Sequence, residues 1–255
     1  MHKKILISFL LIFLPIIANA NNVKKPIILT TEDMPPYSTR VCGKENGNPT
    51  DPLTGISIDI VNELFTRANI EHQILIYPWQ RSFNTAKNNR NHAVFSATRN
   101  QQREHLFKWV GQIASNDWVV FSKKTTSVDI QSIDDMRNYT IGGYQGDALS
   151  LYLEKRGIKV DKAPADKLNL QKLKYGRIDL WIAGNLVGAY RADKAGINVK
   201  QVFTFKESDL WIAFNINTDD DIIKKLNNIL NKMKEDGSII KLGMNNSETN
   251  TTPCK

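Results

Sequence analysis

The sequence predicts an α/β protein of two lobes, on three observations. Segments with strand and helix periodicity alternate along the chain, the pattern of sheets flanked by helices. About 235 residues remain once an N-terminal leader is set aside, more than one modal domain and enough for two moderate cores. No internal repeat or low-complexity tract interrupts the alternation.

The leader is read from a basic start (His2, Lys3, Lys4), an apolar run from Ile5 to Ile17, and Ala18-Asn19-Ala20. Such a run is too short for a comfortable membrane span and ends in a small-x-small site, so residues 1–20 are expected to be a cleavable secretory signal. No cysteine stands near Ala20 and no other apolar run would cross a bilayer, so the expected product is exported, soluble and without a lipid anchor. The formal net charge is +8, or +6 without Lys3 and Lys4. Its basic residues are scattered, without the patch and interleaved aromatics of a nucleic-acid surface, so nucleic acid is not an expected partner. A mild positive field would instead favour anionic guests.

Ile27 to Thr30 reads as a strand, and the prolines of Pro35-Pro36-Tyr37 end it in an extended turn that presents Tyr37 at its C-terminal edge. In open α/β sheets that edge is where ligands sit, so Tyr37 is read as either core or ligand contact. After a polar loop, Gly55 to Ile60 enters a helix whose stripe is Ile60, Val61, Leu64, Phe65 and Ala68. Ile74 to Tyr77 reads as a strand ending in Pro78-Trp79-Gln80-Arg81, with Trp79 either buried or a ligand wall and Arg81 either facing an acidic group or paired with Glu104.

The run Ser96 to Gly111, SATRNQQREHLFKWVG, follows the apolar strand end Ala93-Val94-Phe95. A strand delivering Ser96 and Thr98 into a short turn would aim hydroxyls, backbone N–H groups and one guanidinium at a single point. Arginine's planar fork grips a carboxylate with two parallel bonds. On residue type alone, Arg99 and Arg103 are equally read as ordinary surface charges.

The run resembles the signature of the bacterial extracellular solute-binding proteins of family 3, the amino-acid-binding branch of the type II periplasmic binding proteins. The resemblance places Arg103 on the arginine that clamps a ligand carboxylate, and Ser96 and Thr98 on positions that bond the ligand; Asn100 stands where the family usually has Thr. It also makes Tyr37 and Trp79 aromatic cover, and Gly55 and Asp59 part of a structural Gly-x-x-x-Asp run at a helix start. The implied fold has two lobes, each a mixed sheet flanked by helices, joined by two hinge crossings: 21–122 with 206–255, and 123–205. The C-terminal helices would return to the first lobe, bringing Cys254 towards Cys42; whether the two pair is left open.

Under that resemblance Asp117 to Ser122 is the crossing strand, and Thr140 to Gly143 a strand of the second lobe. Tyr144-Gln145-Gly146-Asp147 then leads into a helix through Leu149 and Leu153, where the family's Gln-Gly-Thr or Gln-Gly-Ser meets the ligand. Asp147 departs from this, as a helix N-cap or as a partner for a ligand ammonium. Gly184 stands where the family places an acid for the ligand's amino group, with Asn185 beside it as an uncharged acceptor or a cap. Val199 to Phe205 and Asp209 to Asn215 read as strands returning to the first lobe, followed by a helix with stripe Ile222, Ile223, Leu226, Ile229, Leu230 and Met233.

His72, His92 and His105 lack ligand spacing, and no nucleophile elbow, P-loop or dinucleotide fingerprint occurs, so no metal and no cofactor are expected. The resemblance implies a monomeric periplasmic carrier of an amino acid or related small carboxylate, serving an ABC permease in the inner membrane. Two alternatives are an enzyme of the cyclohexadienyl dehydratase type, with Glu32 or Asp147 as general acid, and a solute-sensing receptor module.

Overall fold

A computed structural model describes residues 25–41 and 51–249; the leader, Cys42 and Cys254, and the expectations placed on them, lie outside these residues. In chain order the elements are β1 (Ile27–Thr31), β2 (Thr39–Arg40), β3 (Leu53–Thr54), α1 (Ile56–Arg67), β4 (His72–Ile76), α2 (Trp79–Asn88), β5 (His92–Thr98) and β6 (Phe107–Ser115). There follow β7 (Trp118–Lys123), β8 (Ile141–Tyr144), α3 (Ala148–Glu154), β9 (Asp161–Ala163), α4 (Lys167–Lys174), β10 (Leu180–Gly184), α5 (Asn185–Lys194) and β11 (Val199–Lys206). The chain then gives β12 (Asp209–Asn215), α6 (Asp220–Glu235) and α7 (Ser238–Thr249).

Two mixed five-stranded sheets result. The first runs β4-β1-β5-β12-β6, and the second β11-β7-β10-β8-β9. The first buries Leu29, Phe95, Val110, Ile212 and Phe214 with the α1 stripe Ile58, Val61, Leu64 and Phe65 and with Leu226, Leu230 and Met233 of α6. Ile222, Ile223 and Ile229 of the expected α6 stripe are only partly buried. The second sheet has apolar residues on both faces, with Val120, Leu180 and Ile182 in one cluster and Val119, Phe121, Trp181 and Ala183 in the other. The strand alternation of β7 and β10 divides these residues between the two faces.

The chain crosses between sheets at Asn116-Asp117 and again at Glu207-Ser208, and the crossings are tied by a bond from the Asn116 N–H to the Ser208 carbonyl (2.7 Å). Here the structure departs from the expected boundaries. β7, expected to close the first lobe at Ser122, lies wholly in the second sheet, antiparallel to β10 and β11. β11, read as a returning strand, pairs with β7, and its Val202, Phe203 and Phe205 pack on the second core. Alternation identifies a strand but not its sheet, because the same spacing suits either partner. Similarly, Trp79-Gln80-Arg81 is the first turn of α2, not the end of a strand. Pro78, with φ −54°, takes the N-cap position, and its carbonyl receives the Arg81 and Ser82 N–H groups.

The Pro36-Tyr37 turn caps α1 with main chain. The Ile56 N–H bonds the Pro36 carbonyl (3.0 Å) and the Ser57 N–H bonds the Tyr37 carbonyl (2.9 Å), filling donors that a helix start leaves open. Gly55 permits this contact: its φ is 128°, and a Cβ would sit 2.4 Å from the Tyr37 oxygen. Gly55→Ala is therefore expected to lower stability by more than the ~1–3 kcal/mol of an unfavourable backbone conformation, with a lower denaturant midpoint and unchanged m-value as the measurement.

Candidate functional site

The cleft between the sheets contains a pocket of about 40 Å³, whose polar walls are Ser96, Thr98, Arg103, Asn116 and Glu32 from the first side and crossing, and Tyr144, Asp147, Asp166 and Arg191 from the second. Met34, Trp79, Leu149, Ala183, Gly184, Val187 and Leu210 complete it. A larger cleft of about 540 Å³ adjoins and shares Glu32, Trp79, Tyr144, Asp166 and Arg191 with it.

Ser96 reaches the pocket through a bulge. Between β5 and β12 the register passes from Val94 opposite Ala213 to Ala97 opposite Trp211, so β5 carries one extra residue there. Ser96 takes a left-handed φ of 56°, a conformation that costs a side-chain-bearing residue energy and re-aims it. Ser96 is 5% exposed, and its hydroxyl has no hydrogen-bond partner among the described residues.

Arg103 follows the turn that β5 feeds and is 6% exposed. Its Nη1 donates to the Thr98 carbonyl and its Nη2 to the Gly146 carbonyl, both at 3.2 Å, while its guanidinium lies 5.1 Å from the Trp79 ring centroid and 5.2 Å from that of Phe83. Burial lowers its pKa from the ordinary arginine value, partly offset by Asp147. Arg99 takes the other reading: it forms an exposed pair with Glu104 at 2.6 Å. That pair leaves Glu104 occupied, and Arg81 instead lies exposed over the Tyr77 ring at 3.9 Å, outside the pocket.

The second side meets the first through several hydrogen bonds. Trp79 Nε1 donates to the Gly146 carbonyl at 3.1 Å, joining Arg103 on the same oxygen, and Gln80 reaches the Gln145 carbonyl at 3.4 Å. Tyr144 Oη donates to Glu32 Oε1 at 3.0 Å, and Arg191 Nη2 to the Asp33 carbonyl at 2.8 Å. Asp147 caps α3 by accepting the Leu149 N–H at 3.2 Å and still lines the pocket, so its two sequence readings coincide in space. Gln145 is exposed and lines only the larger cleft, whereas Gly146 meets the site through its carbonyl.

Besides Arg81, two residues of the expected set lie elsewhere. The Tyr37 ring is fully buried, with its hydroxyl on the Ser115 carbonyl, because the turn that caps α1 points it into the core. Asn185 starts α5 and its Oδ1 accepts the Leu186 N–H at 2.9 Å, the local role of a short polar side chain at a helix start. Beside it, Gly184 gives room to Asn116: a Cβ at 184 would lie 2.0 Å from Asn116 Oδ1. Asn116 is 5% exposed, and that oxygen has no hydrogen-bond partner among the described residues.

Sequence reasoning did not find Asn116, Tyr144, Asp166 or Arg191. Asp166 stands at the N-cap position of α4 but makes no cap bond, because its carboxylate accepts from Trp181 Nε1 at 2.7 Å and Arg191 Nη1 at 2.5 Å. For Arg191, burial opposes the charge, but Asp166, Glu32 and Asp33 outweigh it and raise its pKa. Glu32 is half-buried as a residue, but desolvation of its carboxyl raises its pKa from 4.5 to about 8, against the pull of Arg191 and the Tyr144 bond. Burial, helped by Asp166 and opposed by Arg103, raises Asp147 from 3.8 to about 7.

These shifts set a pH dependence. Unfolded chains release the two protons near pH 4, whereas the folded protein holds them to about pH 7 and 8. The native state thus binds more protons in that window, and ligand-free stability is expected to fall as pH rises from about 4 to 8, then level off. Thermal melts across this range check it, with Glu32→Gln giving a shallower slope.

Residues 27–245 match the family described as bacterial extracellular solute-binding proteins, family 3. The L-cystine-binding protein TcyA of Bacillus subtilis (strain 168) is 24% identical over 195 residues, 76% of this chain and 72% of its own length. An ancestral arginine-binding protein bound to arginine superposes with a TM-score of 0.74 at 22% identity, covering 86% of this chain and 97% of that one. A histidine kinase sensor domain with similarity to periplasmic binding proteins gives 0.77 at 15% identity, covering 87% and 95%. With nearly all of both sheets inside the matched span and the fold shared with these structures, the chain belongs to the bacterial extracellular solute-binding proteins of family 3.

Proposed function

We propose that the protein captures a small zwitterionic solute, an amino acid or close relative, between its lobes in the periplasm and delivers it to an ABC permease. The carrying observation is Arg103, a buried guanidinium that, among the described residues, bonds only to carbonyl oxygens, beside a pocket where Ser96 Oγ and Asn116 Oδ1 find no hydrogen-bond partner among those residues. A carboxylate would take the guanidinium, and an ammonium would take Asn116 Oδ1 and the Asp147 carboxylate, in place of the acid that Gly184 lacks. Because these groups come from both sides of the crossings, a guest touching both favours the closed arrangement, and the crossings act as the hinge. The relatives named for cystine and arginine support an amino-acid guest.

The test is a thermal-shift panel of amino acids, dicarboxylates and sugar acids on the purified protein. A guest at a hundredfold excess over its Kd should stabilise by about 2.7 kcal/mol; an amino acid is expected to do so, and a response confined to the dicarboxylates or sugar acids overturns the reading. Loss of uptake of that solute on gene deletion tests delivery. A second reading, an enzyme on this scaffold, is favoured by one observation: Glu32 holds its proton to about pH 8 in the pocket wall, as a general acid must. Guest recovered unchanged by NMR after incubation counts against it.

A further inference from the structure

Two guanidinium groups in the pocket, Arg103 and Arg191, face three carboxyl groups, Glu32, Asp147 and Asp166. Arg191 and Asp166 are bonded to each other, which leaves Arg103 opposite two acids. The imbalance lies where water is scarce: Asp147 is 7% exposed and Asp166 8%. Glu32 is faced by Tyr144 at the end of β8, Asp147 before α3, Asp166 before α4 and Arg191 on α5, and its charge also acts on Arg103, so the cations that it meets are the two guanidinium groups already counted. Among the described residues no further Lys, Arg or His lines the pocket. The same walls hold two oxygens, on Ser96 and Asn116, without a hydrogen-bond partner among the described residues. An unbalanced buried charge costs several kcal/mol, and burial removes it by protonation or by a counter-charge.

From this cluster we infer that the site selects a guest carrying one net positive charge: a carboxylate for Arg103 and two cationic nitrogens, the second received on the Glu32 side. The inference rests on the carrier reading above and specifies its solute. The pocket alone is short, but Glu32 and Asp166 also line the larger cleft, so a cationic side chain leaving the pocket passes these two acids before it reaches a volume whose walls carry Asp33 as well as Arg40 and Lys167. A neutral zwitterion leaves the closed site one negative charge in excess, and Glu32 must then keep its proton. A monocationic guest balances the site with Glu32 ionised.

The experiment is calorimetry with two near-isosteric pairs, arginine against citrulline and lysine against norleucine, at pH 8.5 and pH 5.5, in two buffers of different ionisation enthalpy. At pH 8.5 each cation is expected to bind at least tenfold more tightly than its neutral partner, the neutral guests taking up a proton and the cations none. At pH 5.5, with both acids protonated, the preference should shrink or reverse. Glu32→Gln should remove the preference at pH 8.5, and the wild-type pH comparison keeps the test valid if that variant folds poorly. Equal affinities within the pairs at pH 8.5, a preference untouched by Glu32→Gln, or failure of all four guests would each overturn the inference. Binding of another carboxylate that disappears in Arg103→Ala would leave the carrier reading standing, whereas binding of any guest that survives Arg103→Ala would remove that reading itself.

Discussion

Arg103→Ala is expected to weaken guest binding by a factor on the order of 10²–10³, while circular dichroism shows the fold intact. Truncating one member of a buried, hydrogen-bonded charge pair costs about 2–5 kcal/mol, and Arg103 is 6% exposed. The loss has two sources. The guest's carboxylate loses its bidentate partner, and the Gly146 carbonyl loses one of two donors that reach it across the cleft. Asp147 also loses the nearby cation that holds its pKa down, so it would keep its proton to higher pH. Arg103→Lys should restore the charge but not the fork, recovering only part of the affinity. Calorimetric binding within threefold of wild type would reject the assignment.

Asp166→Ala is expected to cost about 3 kcal/mol or more of stability. Its carboxylate serves two buried partners: Trp181 Nε1, in the core of the second sheet, and Arg191. Breaking a buried pair by removing one member costs ~3–5 kcal/mol, and an orphaned buried donor adds ~1–3. Arg191 keeps some contact with water and with the Asp33 carbonyl, which holds the total towards the lower end. For a chain of this size that is a fall of at least about 6–12 °C in Tm. Asp166→Asn retains an acceptor for Trp181 and should fall by clearly less. Equal melting points for the two variants would show that the indole bond contributes nothing beyond the ion pair, which both variants remove.

How much of this was legible in sequence depends on the distance over which each residue acts. Arg103, Ser96 and Thr98 lie within eight residues of one strand end, and that local order is what the family resemblance reads. Their convergence needed only a strand and a turn, although the bulge that turns Ser96 did not show in its residue type. Trp79 was legible as an aromatic wall, but not as the first residue of a helix, because Pro78 suits a strand end and a helix start alike. Asp166 and Arg191 are 25 residues apart, and nothing local to either announces the other. Asp166 even carries a misleading signal: it stands where an acidic cap belongs, yet its carboxylate points inward to tryptophan and arginine. Of the two readings left open for Tyr37, the structure takes the core one, since the strand-edge position that suggested a ligand contact is also where the turn capping α1 buries its ring.

The Gly146 oxygen, which receives both the Trp79 indole and the Arg103 guanidinium, belongs to the main chain. Side-chain scanning of the second lobe would therefore not isolate this half of the rivet: every replacement at position 146 keeps the carbonyl, and its effect would report the left-handed backbone (φ 71°) and a Cβ set 1.3 Å from Gln80 Nε2 instead. Only an ester in place of the following amide, which weakens the carbonyl as an acceptor, would expose its share in holding the halves together.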